Sequence, residues 1–167
     1  MSTPPTAACL VVSMAALLNR ITMLLEDPVN YPDIEANEMA AAARLFEELG
    51  QIPRATMLYQ HCLGQSYPGE IFRDSSERLA AIYKHAGNYT AAIPVWARAA
   101  QAGSLLACEE LAKYYEHQVR DYLQAVQWTQ TALDALTSTE TTSQSIYQWK
   151  RELEHRLNRL KYKLDHA

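Results

Sequence analysis

At 167 residues, 49% of them hydrophobic and 20% charged, the chain is long enough to bury a real core and suits one compact domain. Five glycines and seven prolines, set against plentiful Ala, Leu, Glu, Gln and Arg, exclude a turn-rich sheet protein and predict an all-helical one. The net charge of -4 divides unevenly: residues 1 to 149 hold nine Lys plus Arg against sixteen Asp plus Glu, while the remainder holds six against three, and so acidic a body argues against wrapping DNA or RNA over a broad surface.

The first predicted helix runs from 6 to 26, with Leu10, Met14, Leu17, Ile21 and Leu24 on one side, apolar enough to dock on the rest of the chain or on another molecule. Its run from 7 to 18 is not expected to be a signal peptide, because no Lys or Arg precedes it and no convincing small-residue cleavage pattern follows. Asn19 and Arg20 end it too early for a membrane span, so no membrane partner is expected. Cys9, Cys62 and Cys108 are odd in number and lack a close pair; they predict neither a disulfide framework nor a zinc site, and suit a reducing, cytoplasmic setting.

From 34 onward a spacing repeats. Gly50, Ala55, Tyr59 and Cys62 recur as Gly87, Ala92, Trp96 and Ala99, and more weakly as Arg120, Ala125, Thr129 and Ala132. In a helical hairpin the glycine supplies a left-handed turn, the small residue five later lets two helix axes approach, and the larger residue four further on fills the adjoining groove. Ile52, Tyr89 and Tyr122 open the second helices. Upstream, Ala43, Ala80 and Ala112 take the close-approach position of each first helix and Phe46, Tyr83 and Tyr115 its core face. Tyr115 lies five residues before Arg120, where Phe46 and Tyr83 lie four before glycine, so the third hairpin is expected to be looser. The predicted helices are 34–49, 52–64, 71–86, 89–102, 105–118 and 121–136, with a kink at Pro94, and a polar Ser/Thr linker occupies 137–142. The last helix, 144–164, places Ile146, Trp149, Leu153, Leu157, Leu160 and Leu164 in one stripe; fewer than three heptads favour a cap on the stack over a coiled-coil dimer seam.

These residues resemble the tetratricopeptide pattern, and Ala99-Ala100-Gln101-Ala102-Gly103-Ser104 followed by Leu111-Ala112-Lys113-Tyr114-Tyr115 looks like its Sel1-type variant. The resemblance implies a right-handed α-solenoid of three hairpins over 31–137, preceded by an apolar helix and linker over 1–30 and closed by a linker and capping helix over 138–167. The stretches Leu111-Ala112-Lys113-Tyr114-Tyr115-Glu116-His117, Arg120-Asp121-Tyr122, Glu154-His155-Arg156-Leu157 and Arg159-Leu160-Lys161 are more specific. They are similar to the helical C-terminal region of bacterial ribonuclease-H-like exonuclease proteins, and Val12-Ser13-Met14-Ala15-Ala16-Leu17-Leu18 is similar to the helix that closes their nuclease domain. That family's last acidic metal ligand aligns with Leu10, and no other carboxylate precedes Glu26. Two-metal cleavage needs several convergent carboxylates, so no catalytic residue carries over, and the chain is expected to be either a free-standing relative of the helical region or a fragment of a longer protein.

The bland readings win for most chemistry-bearing residues. Cys62 and Cys108 sit at small-residue packing positions, so His61 and His117 are not read as metal ligands. Adjacent Glu109 and Glu110, like Glu47 and Glu48, diverge by a helical step and read as solvated faces. No cofactor is expected. The expected function is non-catalytic binding of a protein or peptide on the first-helix surface, whose projected positions are Arg44, Glu47, Glu48, Asp74, Glu77, Lys84, His85, Glu109, Lys113, Glu116 and His117. Their acidic lean suggests a partner with basic side chains. The alternative is an accessory nucleic-acid contact through Arg156, Arg159 and Lys163 on the basic last helix; against it, Glu152 and Arg156 read as an ordinary intrahelical pair and the other charges as spread around the solvent side of a cap helix. The sequence leaves the oligomeric state open.

Overall fold

The computed structural model describes residues 7–27, 34–65, 69–137 and 144–166, and these are helical with no strand. Most of the predicted 137–142 linker lies outside them. In chain order the elements are α1 (Ala7–Glu26), α2 (Ala36–Glu48), α3 (Ile52–Gly64), α4 (Gly69–His85), α5 (Tyr89–Gln101), α6 (Leu105–Tyr114), a π-helical turn (Tyr115–Val119), α7 (Tyr122–Thr137) and α8 (Gln144–Asp165). Where one compact domain was expected, the chain divides into two units, up to Ile71 and from Phe72 onward.

In the first unit, α2 starts from a capping box in which Glu35 and Glu38 exchange bonds with each other's backbone. α2 and α3 pack together, burying Met39, Ala43 and Phe46 on one and Ala55, Leu58, Tyr59 and Cys62 on the other. Between them Gly50 stands at φ +71°, its N–H donating to the Glu47 carbonyl at 3.0 Å while that of Gln51 donates to Phe46 at 2.8 Å. Of the apolar face expected on α1, Met14 and Ile21 are exposed, as are Val11, Val12 and Leu18; the side chains of Leu10, Leu17 and Leu24 lie outside the described residues. Among the described residues no helix is long and apolar enough to cross a membrane.

In the second unit, sequence-adjacent helices share one core of Ala80, Ala92, Trp96, Cys108, Leu111, Leu133, Leu153 and their neighbours. Gly87 repeats the Gly50 turn, with Asn88 N–H donating to Tyr83 at 2.8 Å and the Asn88 side chain accepting from Ala91 to start α5. Gly103 and Ser104 close α5 in the same way, and the Ser104 hydroxyl both caps α6 and donates to Glu77 of α4 at 2.5 Å. Pro94 lies inside α5, which continues through it to Gln101. α8 docks on α7 through buried Leu153, Leu157 and Leu160, each contributing roughly 1.5–3 kcal/mol. Leu164, expected in that stripe, is exposed instead, one turn beyond the last buried leucine.

The third turn departs from the other two. The extra residue between Tyr115 and Arg120 is absorbed by the π-helical turn, whose bonds span one residue more than those of an α-helix. Both Arg120, itself left-handed at φ +60°, and Asp121 donate their N–H groups to the Tyr115 carbonyl, the latter at 2.9 Å. The Asp121 carboxylate then caps α7 by accepting from the Gln124 N–H at 3.0 Å.

Candidate functional site

One residue past each hairpin's aromatic stands a charged side chain, Glu47, Lys84 or Glu116, and each takes an internal partner. Tyr59 donates its hydroxyl to Glu47 at 2.6 Å in the first unit. Lys84 of α4 bonds Glu110 of α6. Glu116, expected to face a partner, is a correction: its side chain has no solvent exposure. Arg156 Nη1 lies 3.2 Å from it, Arg159 Nη2 lies 2.9 Å from both carboxylate oxygens, and Lys163 Nζ lies 2.9 Å from Oε1. The repeat register stops short of the cause, which is that side chains of the chain's own α8 reach across to Glu109 of α6 and Glu116 of the π-turn. Glu109, seven residues earlier on that surface, accepts from Trp149 Nε1 of α8 at 3.1 Å.

These bonds join into one network through the second unit. Lys84 meets Glu110, Glu110 and Glu109 both meet Lys113 at 3.0 Å, Glu109 lies 3.9 Å from Arg156, and Arg156 leads to Glu116 with Arg159 and Lys163. Five cations therefore share three carboxylates. The expectation that Glu109 and Glu110 are separate solvated faces is corrected as well, because Lys113 lies between them and bonds both. Arg156, expected to pair along its helix with Glu152, turns instead to Glu116 and Glu109.

Burial pushes the Glu116 carboxyl upward, but the hydrogen bonds and charges of Lys163 and Arg159 outweigh it and hold the group below the usual carboxylate range. Glu110 is held low in the same way by Lys84 and Lys113. Lys113 is raised, its two carboxylate partners overcoming the opposing effect of burial. Burial raises the Cys108 thiol, which suits a packed and unreactive side chain.

The other projected positions scatter. Arg44 and Glu48 are exposed on α2, Asp74 pairs with Arg78 at 3.2 Å, His85 is exposed at the end of α4, and His117 is exposed 3.6 Å from Glu116. What the sequence reading missed is a recess of about 140 Å³ in the second unit, floored by Trp96, walled by Tyr89 and Tyr114, and rimmed by Lys84, Lys113 and Glu110. Tyr89 and Trp96 already occupy repeat positions, so only Tyr114 stood apart from the core spacing as a signal for it. A second, larger hollow of about 670 Å³ runs along α8 beside Arg151, His155, Arg156 and Arg159. Among the described residues no group of three His, Cys, Asp or Glu stands close enough to hold a metal ion.

No model of a known protein family matches the chain, and neither does any curated protein.

Proposed function

We propose that the chain is a non-catalytic scaffold of three tetratricopeptide-like hairpins, forming a right-handed solenoid with α8 as its cap, that binds a protein partner. The observation that carries this reading is the recurrence of one packing position: Ala55, Ala92 and Ala125 are all fully buried, each following a left-handed turn residue at the same spacing. A fold built by repetition makes extended surfaces rather than a single deep cleft, which suits macromolecular contact. Selection of a random displayed peptide library against the folded chain tests it. Enrichment of a recurring motif supports the scaffold, and repeated selections that return none count against it. Cleavage of a labelled oligonucleotide in manganese or magnesium would contradict the non-catalytic part.

A second reading, an accessory nucleic-acid contact, is favoured by one observation: Arg156 and Arg159 border the α8 hollow together with Arg151. Reversing Arg156 or Arg159 would also strip Glu116 of partners, so Arg151→Glu is the cleaner probe. Binding of a short oligonucleotide that weakens steeply with salt and is reduced by Arg151→Glu supports this reading, and no binding at low salt removes it.

A further inference from the structure

We propose that the recess between α5 and the end of α6 docks an acidic peptide segment, admitting one aromatic side chain while the neighbouring carboxylates meet Lys84 and Lys113. The proposal rests on the scaffold reading and reverses the charge of the partner expected from sequence.

Size sets the first constraint. A recess of about 140 Å³ matches the ~150 Å³ cavity that admits a benzene ring, so it holds one phenyl-sized group. Its lining sets the second. Trp96 is 3% exposed and forms a rigid floor, while the Tyr89 and Tyr114 rings lie 5.3 Å apart and tilted by 31°, offering faces and edges to an incoming ring.

Charge decides the rest. Lys84 and Lys113 share the Glu110 carboxylate, and Lys113 also meets Glu109, which Arg156 approaches from α8; across the connected network five cations face three carboxylates, so the surplus charge is positive. The lysine side chains meet the solvent more than the carboxylate does: those of Lys84 and Lys113 are 41% and 38% exposed, that of Glu110 only 13%. Of the acidic groups that suggested a basic partner, those in the second unit are already engaged: Asp74 by Arg78, Glu77 by Ser104, Glu109 by Trp149 and Lys113, and Glu116 by α8. A long polyanion fits less well than a short acidic segment, because residues 1 to 149 carry sixteen acidic against nine basic side chains and repel an extended phosphate chain. The π-turn belongs to the same site, since its widened backbone sets His117 and Gln118 at the rim while Glu116 points to α8.

The test is fluorescence anisotropy on the full chain with a labelled, capped pentapeptide carrying phenylalanine between pairs of aspartates. The lysine-flanked counterpart, a version with glycine for phenylalanine, and a short oligothymidylate are run beside it. The acidic aromatic probe is expected to bind, to weaken about tenfold or more in Lys84→Gln with Lys113→Gln, and to be unaffected by Arg151→Gln on α8. Tyr114→Ala is expected to weaken it independently of charge. Should the double glutamine variant fail to fold, loss of wild-type affinity with rising salt takes its place. Equal or tighter binding of the lysine or glycine probe, displacement by the oligothymidylate, or no binding of the acidic probe overturns the inference. If the acidic probe fails while the displayed library still returns a motif, the inference falls and the scaffold reading stands; if the library also returns nothing, both fall.

Discussion

The turn after Phe46 and the turn after Tyr115 begin at equivalent residues and finish differently. The first closes in four residues on Gly50, and its charged residue, Glu47, remains half-buried with a tyrosine hydroxyl as partner. The second takes five residues, widens into a π-turn, closes on a left-handed arginine, and carries a carboxylate that three cations of α8 enclose. A single added residue thus coincides with a change of role, from ending a helix to fastening the last one. Insertions of this kind cost regular hydrogen bonding, and the ion cluster is the compensating gain at this site.

The contrast can be broken first at the carboxylates. Glu116→Ala is expected to cost about 3 kcal/mol in urea denaturation, the low end for breaking a buried ion pair because Arg159 and Lys163 keep part of their solvent. Glu47→Ala removes the acceptor of the Tyr59 hydroxyl and is expected to cost about 1 kcal/mol. Equal losses at the two positions would show that the third turn is not special.

The turn residues give the next contrast, with opposite signs. Nothing lies within 4 Å of where a Cβ on Gly50 would stand, so Gly50→Ala carries only the backbone cost of a left-handed alanine, about 1 kcal/mol. Arg120→Gly removes the same strain but loosens the unfolded chain, and is expected to gain roughly 0.5 kcal/mol. Thermal melts of the pair would register opposite shifts; a destabilised Arg120→Gly would mean that the arginine side chain contributes more than its backbone costs.

Acid gives the smallest and most specific effect. The Glu116 pKa is depressed below 4.5 in the folded state, so its stabilisation is complete above that value and is lost as pH falls through the lower one. Stability measured below about pH 4.5 should therefore fall less steeply in Glu116→Gln than in the parent. Glu110, also depressed, leaves the variant some slope. Parallel curves would remove Glu116 from the acid transition.

Much of the fold was legible because packing leaves a periodic trace. Ala43, Ala55, Ala80, Ala92, Ala112 and Ala125 were placed at close approaches by spacing alone, and all six are buried. The extra residue before Arg120 was visible too, but a count of five fits either a loose turn or a π-turn, and only the Tyr115 carbonyl accepting two N–H groups distinguishes them. The site was less legible. Arg159 and Lys163 read as solvent-facing cations, and Arg156 as a partner of Glu152, because pairing with Glu116 leaves no local periodicity to detect. The Trp96 recess was equally hidden, since Tyr89, Tyr114 and Lys84 meet only once three helices have packed.

Glu116 stands 40, 43 and 47 residues ahead of the cations that enclose it. Because a ribosome delivers the chain from its N-terminus, α6 and the π-turn emerge while those partners are still unmade. Until α8 arrives, the carboxylate waits in water as a hydrated anion, and the earlier helices must hold together without it. Closure of the cluster is then a final latch, set only when synthesis has reached Lys163.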